Sequence, residues 1–373
     1  MIGVESQYLF SIFLKDQPNI ISEEDMLSFT IIEVAGLNLP YYEVAFSIKD
    51  KANMEYFNDK NVLNIQLGKD INSLKDTLLH MEKVIESPAQ QDVGTIIIRG
   101  VQDSKPYLVN DNVAVYQGTS DVVLQSLASK YGYKPTLLID KMDDEMAWQQ
   151  NSMTDYAFAN KVWLHSYSKD NAFVITSFNI ENEFRMYDIV KCIGDQNIKY
   201  NFVTSKPEND KETQIHSNFE TDNNTSMNNF FGGYVKQMHI YNVKERKFEL
   251  VDIGNVVPII SEADTSNTDT NISKSGGFRI QTPDMHAKYF RAEMLNKARL
   301  FNMNSSRIWI TIEDEYSDIH PLDLCTVLAK ESGNQSCEQV SGMYMVSKVV
   351  RTIQDRRLTT SALLCRESFN NQR

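Results

Sequence analysis

The 373-residue sequence has no apolar run approaching the roughly 18 residues that would cross a bilayer as a helix; its longest, such as Gly94 to Val101, are of strand length. Insertion by a membrane-spanning helix is thereby excluded. The start, Met1-Ile2-Gly3-Val4-Glu5, has no basic region, and the apolar stretch Tyr8 to Leu14 is short and followed at once by Lys15-Asp16, so no secretory signal is expected. Cysteine is scarce and scattered: Cys192, Cys325, Cys337 and Cys365 include no CxxC pair of the kind that holds zinc or runs redox chemistry. They read as reduced structural residues of a protein made in the cytoplasm, a Cys325 to Cys337 bridge being the weaker alternative. Basic charge is also short. Lys and Arg total 37 against 50 for Asp and Glu, giving a formal net charge of -13 and a pI of about 5.0. Such a surface repels phosphate backbones and disfavours stable nucleic-acid binding.

The signatures of chemistry are missing as well. There is no G-x-S-x-G elbow and no cysteine in a protease signature. The six histidines, His80, His165, His216, His239, His286 and His320, include no H-E-x-x-H spacing, which leaves only a zinc site assembled in three dimensions open. Gly232-Gly233 and Gly276-Gly277 are the only paired glycines and neither belongs to a phosphate-cradling loop. Neither a cofactor nor a metal is expected. Two acidic clusters, Asp140, Asp143, Asp144 and Glu145, and Glu313, Asp314, Glu315 and Asp318 beside His320, could offer hard oxygen ligands, but they lack EF-hand alternation and read as solvated turns. Arg351 with Arg356-Arg357 reads as a solvated face or an ion-pair partner, not an anion site.

What is present is material for strands. With 17 Tyr and 18 Phe beside only 15 Gly and 9 Pro, the composition suits a strand-rich protein with large buried or interfacial side chains. A mass of 42.8 kDa and a mean hydropathy of -0.38 fit two or three folded domains with polar segments. Alternation predicts strands at Phe29 to Val34, Tyr41 to Lys49, Val62 to Leu67 and Gly94 to Val101. Between Asp70 and Glu86, Ile71, Leu74, Leu78, Met81 and Ile85 recur at helical spacing and predict a helix. A second helix is predicted from Thr119 or Ser120 to Gly132, with Val123, Leu124, Leu127 and Tyr131 on one side. A third runs from Met153 to Leu164, with Tyr156, Ala159 and Trp163 on one face. Strands follow at Lys134 to Ile139 and Ala172 to Phe178. Ser205 to Asn229 and Ser261 to Gly277 are polar and read as long loops or arms, with an exposed hairpin at Gly233 to Ile253 between them. A helix at His286 to Asn302 leads into strands at Arg307 to Ile312, Leu324 to Lys330, Gly342 to Thr352 and Leu358 to Cys365. The Met and aromatic stripes on the helices read as core or subunit interface.

The order of these features resembles a known family. A capped helix ending Ala128-Ser129-Lys130-Tyr131-Gly132-Tyr133 and a short strand precede Trp148-Gln149-Gln150-Asn151-Ser152-Met153-Thr154-Asp155-Tyr156-Ala157-Phe158, read as opening the next helix. This succession is similar to the central segment of baseplate hub proteins of contractile-tailed bacteriophages, including the late control D type and the base of type VI secretion spikes. His320-Pro321-Leu322-Asp323-Leu324-Cys325-Thr326-Val327 and Ser341-Gly342-Met343-Tyr344-Met345-Val346-Ser347-Lys348-Val349 resemble that family's second barrel, where a Pro-Gly-Asp turn enters one strand and a Ser-Gly-x-Tyr-x-Val strand follows. The departure is Leu322, which stands where that turn usually has glycine.

The resemblance implies an α+β, mainly β fold: two tube-protein-like antiparallel β-barrels, an intervening α/β domain and extended polar arms. The corresponding spans are 1–116, a barrel with one helix; 117–200, the α/β part; 201–285, the hairpin and polar loops; and 286–373, a helix and the second barrel. It implies a non-enzymatic homotrimer in the virion tail baseplate that adapts a sixfold tail tube to a threefold central spike and leaves a channel for DNA. The implied partners are the spike, the tube, and the tape measure and baseplate wedge proteins. Trp148 and Trp163 flank the predicted helix from Met153 to Leu164 as candidate anchors to the barrels, and Trp309, Tyr344 and Val346 are expected to build the second barrel. The rival readings are a tail-associated peptidoglycan hydrolase using dispersed carboxylates and a glycan-binding tail module.

Overall fold

A computed structural model describes residues 9–14, 25–48, 57–58, 61–68, 75–90, 93–102, 105–204, 213–214, 220–223, 235–254, 256, 258–260, 274–312, 318–329, 340–354 and 357–367. The first six strands are β1 (Leu9–Leu14), β2 (Met26–Val34), β3 (Tyr41–Ile48), β4 (Val62–Gly68), β5 (Lys75–Gln90) and β6 (Val93–Gln102). They pair in the order β1-β4-β5-β6-β3-β2, antiparallel throughout. Alternation decides which face is buried: Phe29 and Ile31 of β2, Leu63 and Ile65 of β4 and Ile96 and Ile98 of β6 meet in one core.

Here the sequence expectation is corrected. The helix predicted between Asp70 and Glu86 is the strand β5 over its described part, residues 70–74 lying outside the described residues. Both edges of β5 are hydrogen-bonded, to β4 and β6, and Leu79 and Met81 point into the core two residues apart. A register shift between Met81 and Lys83 breaks the strict alternation. Leu78, Met81 and Ile85 therefore keep a helical spacing inside a bulged strand.

The middle of the chain comprises α1 (Lys105–Val109), β7 (Asp111–Gly118), α2 (Ser120–Lys130), β8 (Lys134–Leu138), β9 (Met146–Thr154), α3 (Asp155–Leu164), β10 (Val174–Phe178), β11 (Glu183–Asp188) and α4 (Ile189–Gly194). β7 and β9 form an antiparallel pair, and β11 lies between antiparallel β10 and parallel β8. Trp148 to Met153, expected to open a helix, belong to β9 instead; Trp148 and Gln150 are buried while Gln149 and Asn151 face water. The helix α3 starts only after Thr154, whose side chain accepts a hydrogen bond from the Ala157 N–H. Its buried residues are Asp155, Phe158, Ala159 and Val162, with Tyr156 and Trp163 half-buried at the margin. Gly132, with φ of 80°, ends α2 as the sequence indicates.

The remainder is β12 (Ile198–Val203), β13 (Thr213–Gln214), β14 (Glu220–Asn223), β15 (Val235–Asn242), β16 (Lys247–Asp252), β17 (Lys274–Gln281), α5 (Tyr289–Met303), β18 (Ser306–Ile312), β19 (Leu324–Leu328), β20 (Gly342–Gln354) and β21 (Arg357–Arg366). The hairpin β15–β16 has β17 added in parallel on its other edge. The two polar stretches are not loops throughout: β13 and β14 are strands, paired to β12 and β18, and the second stretch ends inside β17. The rest of both stretches lies outside the described residues.

β20 joins the two ends of the chain. Its residues 342–345 pair with β19 and its residues 348–353 with β2, while β21 runs along the opposite edge. β19 and β2 therefore lie end to end on one side of β20, and strands from both ends of the chain make one thirteen-stranded sheet. The fold is mainly β with five described helices, and among the described residues the sheet path has free ends at β1, β13 and β14.

Candidate functional site

The place where β2 and β19 meet along β20 is built from charge. In β2 the inward positions Phe29 and Ile31 are followed in phase by Glu33, and in β20 Arg351 sits in phase with Val349 and Ile353. The register places Ile31 opposite Arg351 and Glu33 opposite Val349, so Glu33 and Arg351 are diagonal neighbours on the buried face. Glu33 has no exposed surface. Its Oε2 accepts from Arg351 Nη1, and its Oε1 accepts from His320 Nδ1 at 2.9 Å and from the Ile180 N–H at 3.0 Å. Arg351 Nη2 donates in turn to the Ile319 carbonyl. Burial pushes the Glu33 carboxyl upward, but Arg351, His320 and the Ile180 N–H outweigh it and hold it down to about 2. Burial would likewise depress the His320 imidazole; the carboxylates of Glu33 and Asp318 raise it above its ordinary value.

A turn carries the rest. The Asp323 N–H reaches the His320 carbonyl at 3.2 Å, and Leu322 takes φ of 76°, the left-handed conformation that glycine ordinarily supplies. Leucine thus keeps the geometry of the Pro-Gly-Asp turn, with its side chain buried against Leu324, Met345 and Cys365 in one core. The Leu322 N–H donates to the Val346 carbonyl and the Val346 N–H to the Asp323 carbonyl, each at 2.9 Å, so the turn bridges the gap between β2 and β19. Asp323 accepts from the His320 N–H at 2.9 Å and from Arg185 Nη1 at 3.0 Å, and Lys199 Nζ lies 3.2 Å from its Oδ2. Arg185 also reaches Glu183, which accepts from Asn179. The Gly36 N–H donates to the Thr176 carbonyl, and Ala35 bridges Ser177, which adds β10 to the same point. Strands from the beginning, middle and end of the chain are thereby tied through one buried ionic network. At its outer edge Glu181 and Asp318, both exposed, and the buried His320 bring one ligand atom each within 4.8 Å of one another.

Two further buried acids refine the sequence reading. Asp144, expected in a solvated turn, is fully buried and accepts from the Ser120 N–H, the Ser120 hydroxyl and the Tyr167 N–H, fastening the start of α2. Asp155 is also fully buried and accepts from Lys130, Tyr131, Gln150 and Asn112. Arg351 is an ion-pair partner, as one of its two readings had it, but a buried one; Arg357 is exposed and Arg356 lies outside the described residues. Cys192, Cys325 and Cys365 are buried free thiols, and Cys337 lies outside the described residues.

The sequence-selected residues separate into two places. Trp148 is buried on β9, where its Nε1 donates to the Gly118 carbonyl at 3.0 Å and its ring lies 6.0 Å from His286. Trp163 is half-buried at the end of α3, its Nε1 donating to the Val174 carbonyl of β10 at 3.0 Å. Tyr344 and Val346 share the core of the C-terminal strands, the Tyr344 hydroxyl donating to the Val340 carbonyl and Arg366 lying 4.3 Å from its ring. Trp309 is half-buried on β18 with Lys348 Nζ 5.6 Å from its ring. None of the five contributes a side chain to the ionic junction, although the Val346 backbone pairs with its turn. Glu33, Arg185 and Asp323 were not selected from the sequence; the available signal was a charged residue in phase with buried apolar ones, as at Glu33 and Arg351.

No family model matches the sequence, and no curated protein matches it. Solved structures do. The tail protein from Neisseria meningitidis superposes over 97% of this chain and 97% of its own, with a TM-score of 0.59 at 7% identity. The prophage MuSo2 43 kDa tail protein from Shewanella oneidensis covers 96% of this chain and 98% of its own, with a TM-score of 0.57 at 8% identity. An E. coli component of the type VI secretion system, described as structurally similar to the T4 bacteriophage tail proteins gp27 and gp5, covers 97% of this chain and 77% of its own with a TM-score of 0.49. The chain has the fold of phage tail proteins, as the sequence resemblance implied. Among the described residues no helix is long and apolar enough to cross a membrane.

Proposed function

We propose that the protein is a structural hub of a phage tail baseplate, located in the virion. The observation that carries this reading is the likeness to two tail proteins over nearly the whole of each chain, since it takes in the arrangement of all the parts and not one domain. In the fuller form of the proposal three chains close into a ring, and the strand-built N- and C-terminal parts of each serve as tube-like barrel units. The ring adapts a sixfold tail tube to a threefold spike and leaves an axial channel for DNA. The net charge of -13 supports a surface along which DNA slides without sticking. Apolar side chains exposed in the single chain support contact with neighbouring proteins: Val113 and Val115 on β7 are 78% and 62% exposed, and Phe248 and Phe278 on the β15–β17 sheet 73% and 50%. Trp163 and Trp309 are the half-buried members of the sequence-selected set. A buried ionic junction that joins both ends of the chain suits a part that transmits load, and the role proposed is non-enzymatic.

Light scattering with negative-stain imaging tests the ring. The expected species has three times the 42.8 kDa chain mass, about 128 kDa, and an axial hole. A species that stays monomeric both alone and with spike and tube proteins present would refute the hub.

A further inference from the structure

The outer edge of the ionic junction has a donor set that the structural role does not use. His320 is 2% exposed, and its Nδ1–H is committed to Glu33. Its Nε2 faces the Asp318 carboxylate, whose Oδ1 lies 3.3 Å away, an ion pair while the ring is protonated. A divalent cation can take the place of that proton between the ring and the carboxylate, since a metal-bound imidazole gives up its proton at the ligating nitrogen. Asp318 and Glu181 converge on it from two different loops, one preceding β19 and the other between β10 and β11.

From this geometry we infer that Glu181, Asp318 and His320 form a binding site for one divalent transition-metal cation, zinc being the best fit. Two ligands bound to zinc at roughly 2.0–2.1 Å in a tetrahedron stand about 3.3–3.4 Å apart, which matches the Nε2 to Oδ1 distance. Glu181 is exposed, and its carboxylate, already within 4.8 Å of the other two ligand atoms, can close in as the third ligand, leaving the fourth position to water. The Glu33 carboxylate accepts from the other ring nitrogen, the arrangement that orients a metal-bound histidine and presents its Nε2 lone pair. Lys199 lies 3.2 Å from Asp318 Oδ2, which leaves Oδ1 for the cation. An imidazole donor among two carboxylates selects zinc, cobalt or nickel over magnesium and calcium, which take oxygen ligands. The bound cation clips the turn between β10 and β11 to the segment before β19, and so locks the middle of the chain to the junction from outside.

Equilibrium dialysis of the chelator-stripped full chain against Zn2+, with elemental analysis, is the direct test. One Zn2+ per chain with a Kd of about 1–10 μM is expected, unaffected by millimolar Mg2+, and Asp318→Asn and Glu181→Gln should each weaken binding at least about tenfold. Both substituted side chains are exposed, so the variants test coordination without emptying the core. Co2+ substitution should give the intense visible bands of a four-coordinate site in the wild type and not in Asp318→Asn. Less than about one-tenth equivalent bound at 100 μM Zn2+ would overturn the inference, as would affinity within about twofold of wild type in the Asp318→Asn/Glu181→Gln double variant.

Discussion

Replacing Glu33 by alanine should be among the costliest single changes in this chain. The substitution removes the acceptor for Arg351 Nη1, His320 Nδ1 and the Ile180 N–H and leaves the Arg351 guanidinium buried without its counter-charge. Breaking a buried pair from one side costs about 3–5 kcal/mol, because the remaining charge keeps its desolvation penalty. Removing both partners leaves no orphaned charge. The losses in Glu33→Ala and Arg351→Ala should therefore exceed the loss in the double variant when summed, by about 2 kcal/mol or more. Urea unfolding in the presence of a chelator, followed by tryptophan fluorescence and circular dichroism, measures the losses without any contribution from bound metal. Hydrogen exchange adds a local readout: the Ile180 amide, which donates to Glu33, should lose protection in Glu33→Ala. A loss below about 1 kcal/mol, additive behaviour of the pair, or unchanged exchange at Ile180 would each refute the claim that the junction holds the two ends of the chain together.

Three other outcomes follow from single positions. A Cβ at Gly100 would lie 2.0 Å from the His80 backbone carbonyl oxygen, so Gly100→Ala should force β5 away from β6 and cost about 3 kcal/mol; normal thermal stability would show that the strands do not approach this closely. Leu322→Gly removes a left-handed strain of about 1–2 kcal/mol while Leu322→Ala retains it, and both empty the same buried site at about 2–5 kcal/mol. Denaturation midpoints should therefore rank wild type above glycine and glycine above alanine, and the reverse order of the two variants would contradict the strain argument. His165 and His286 are each held at about 4, chiefly because burial disfavours the charged ring. A depressed folded value means that the unfolded chain takes up the proton first, so this stability is complete above about pH 6.5 and is lost as pH falls toward 4, by about 3 kcal/mol for one ring. A pH series of unfolding midpoints should show His286→Gln losing less than wild type over that window, and parallel curves would rule the assignment out.

Alternation in the sequence determined much of the strand inventory. Phe29 to Val34, Val62 to Leu67 and Arg307 to Ile312 could be placed because each side chain two residues on returns to the same face, and that constraint is local. The end of α2 was legible for the same reason, Gly132 acting within a few residues of itself, whereas the Thr154 cap that starts α3 was not picked out. The order of these elements was enough to indicate the tail-protein fold. Tertiary structure decided the rest. The spacing of Leu78, Met81 and Ile85 fits a helix and a bulged strand equally, and only hydrogen bonding to neighbours on both edges chose the strand. Trp148 to Met153 became a strand because β7 was there to pair with it. Glu33 and Arg351 stand more than three hundred residues apart, and each alone reads as a charge in an ordinary strand. Their burial in one network follows from the pairing of β2 with β20, a contact whose energy depends on register between distant strands; each segment shows only a charge in phase with apolar residues and does not name its partner.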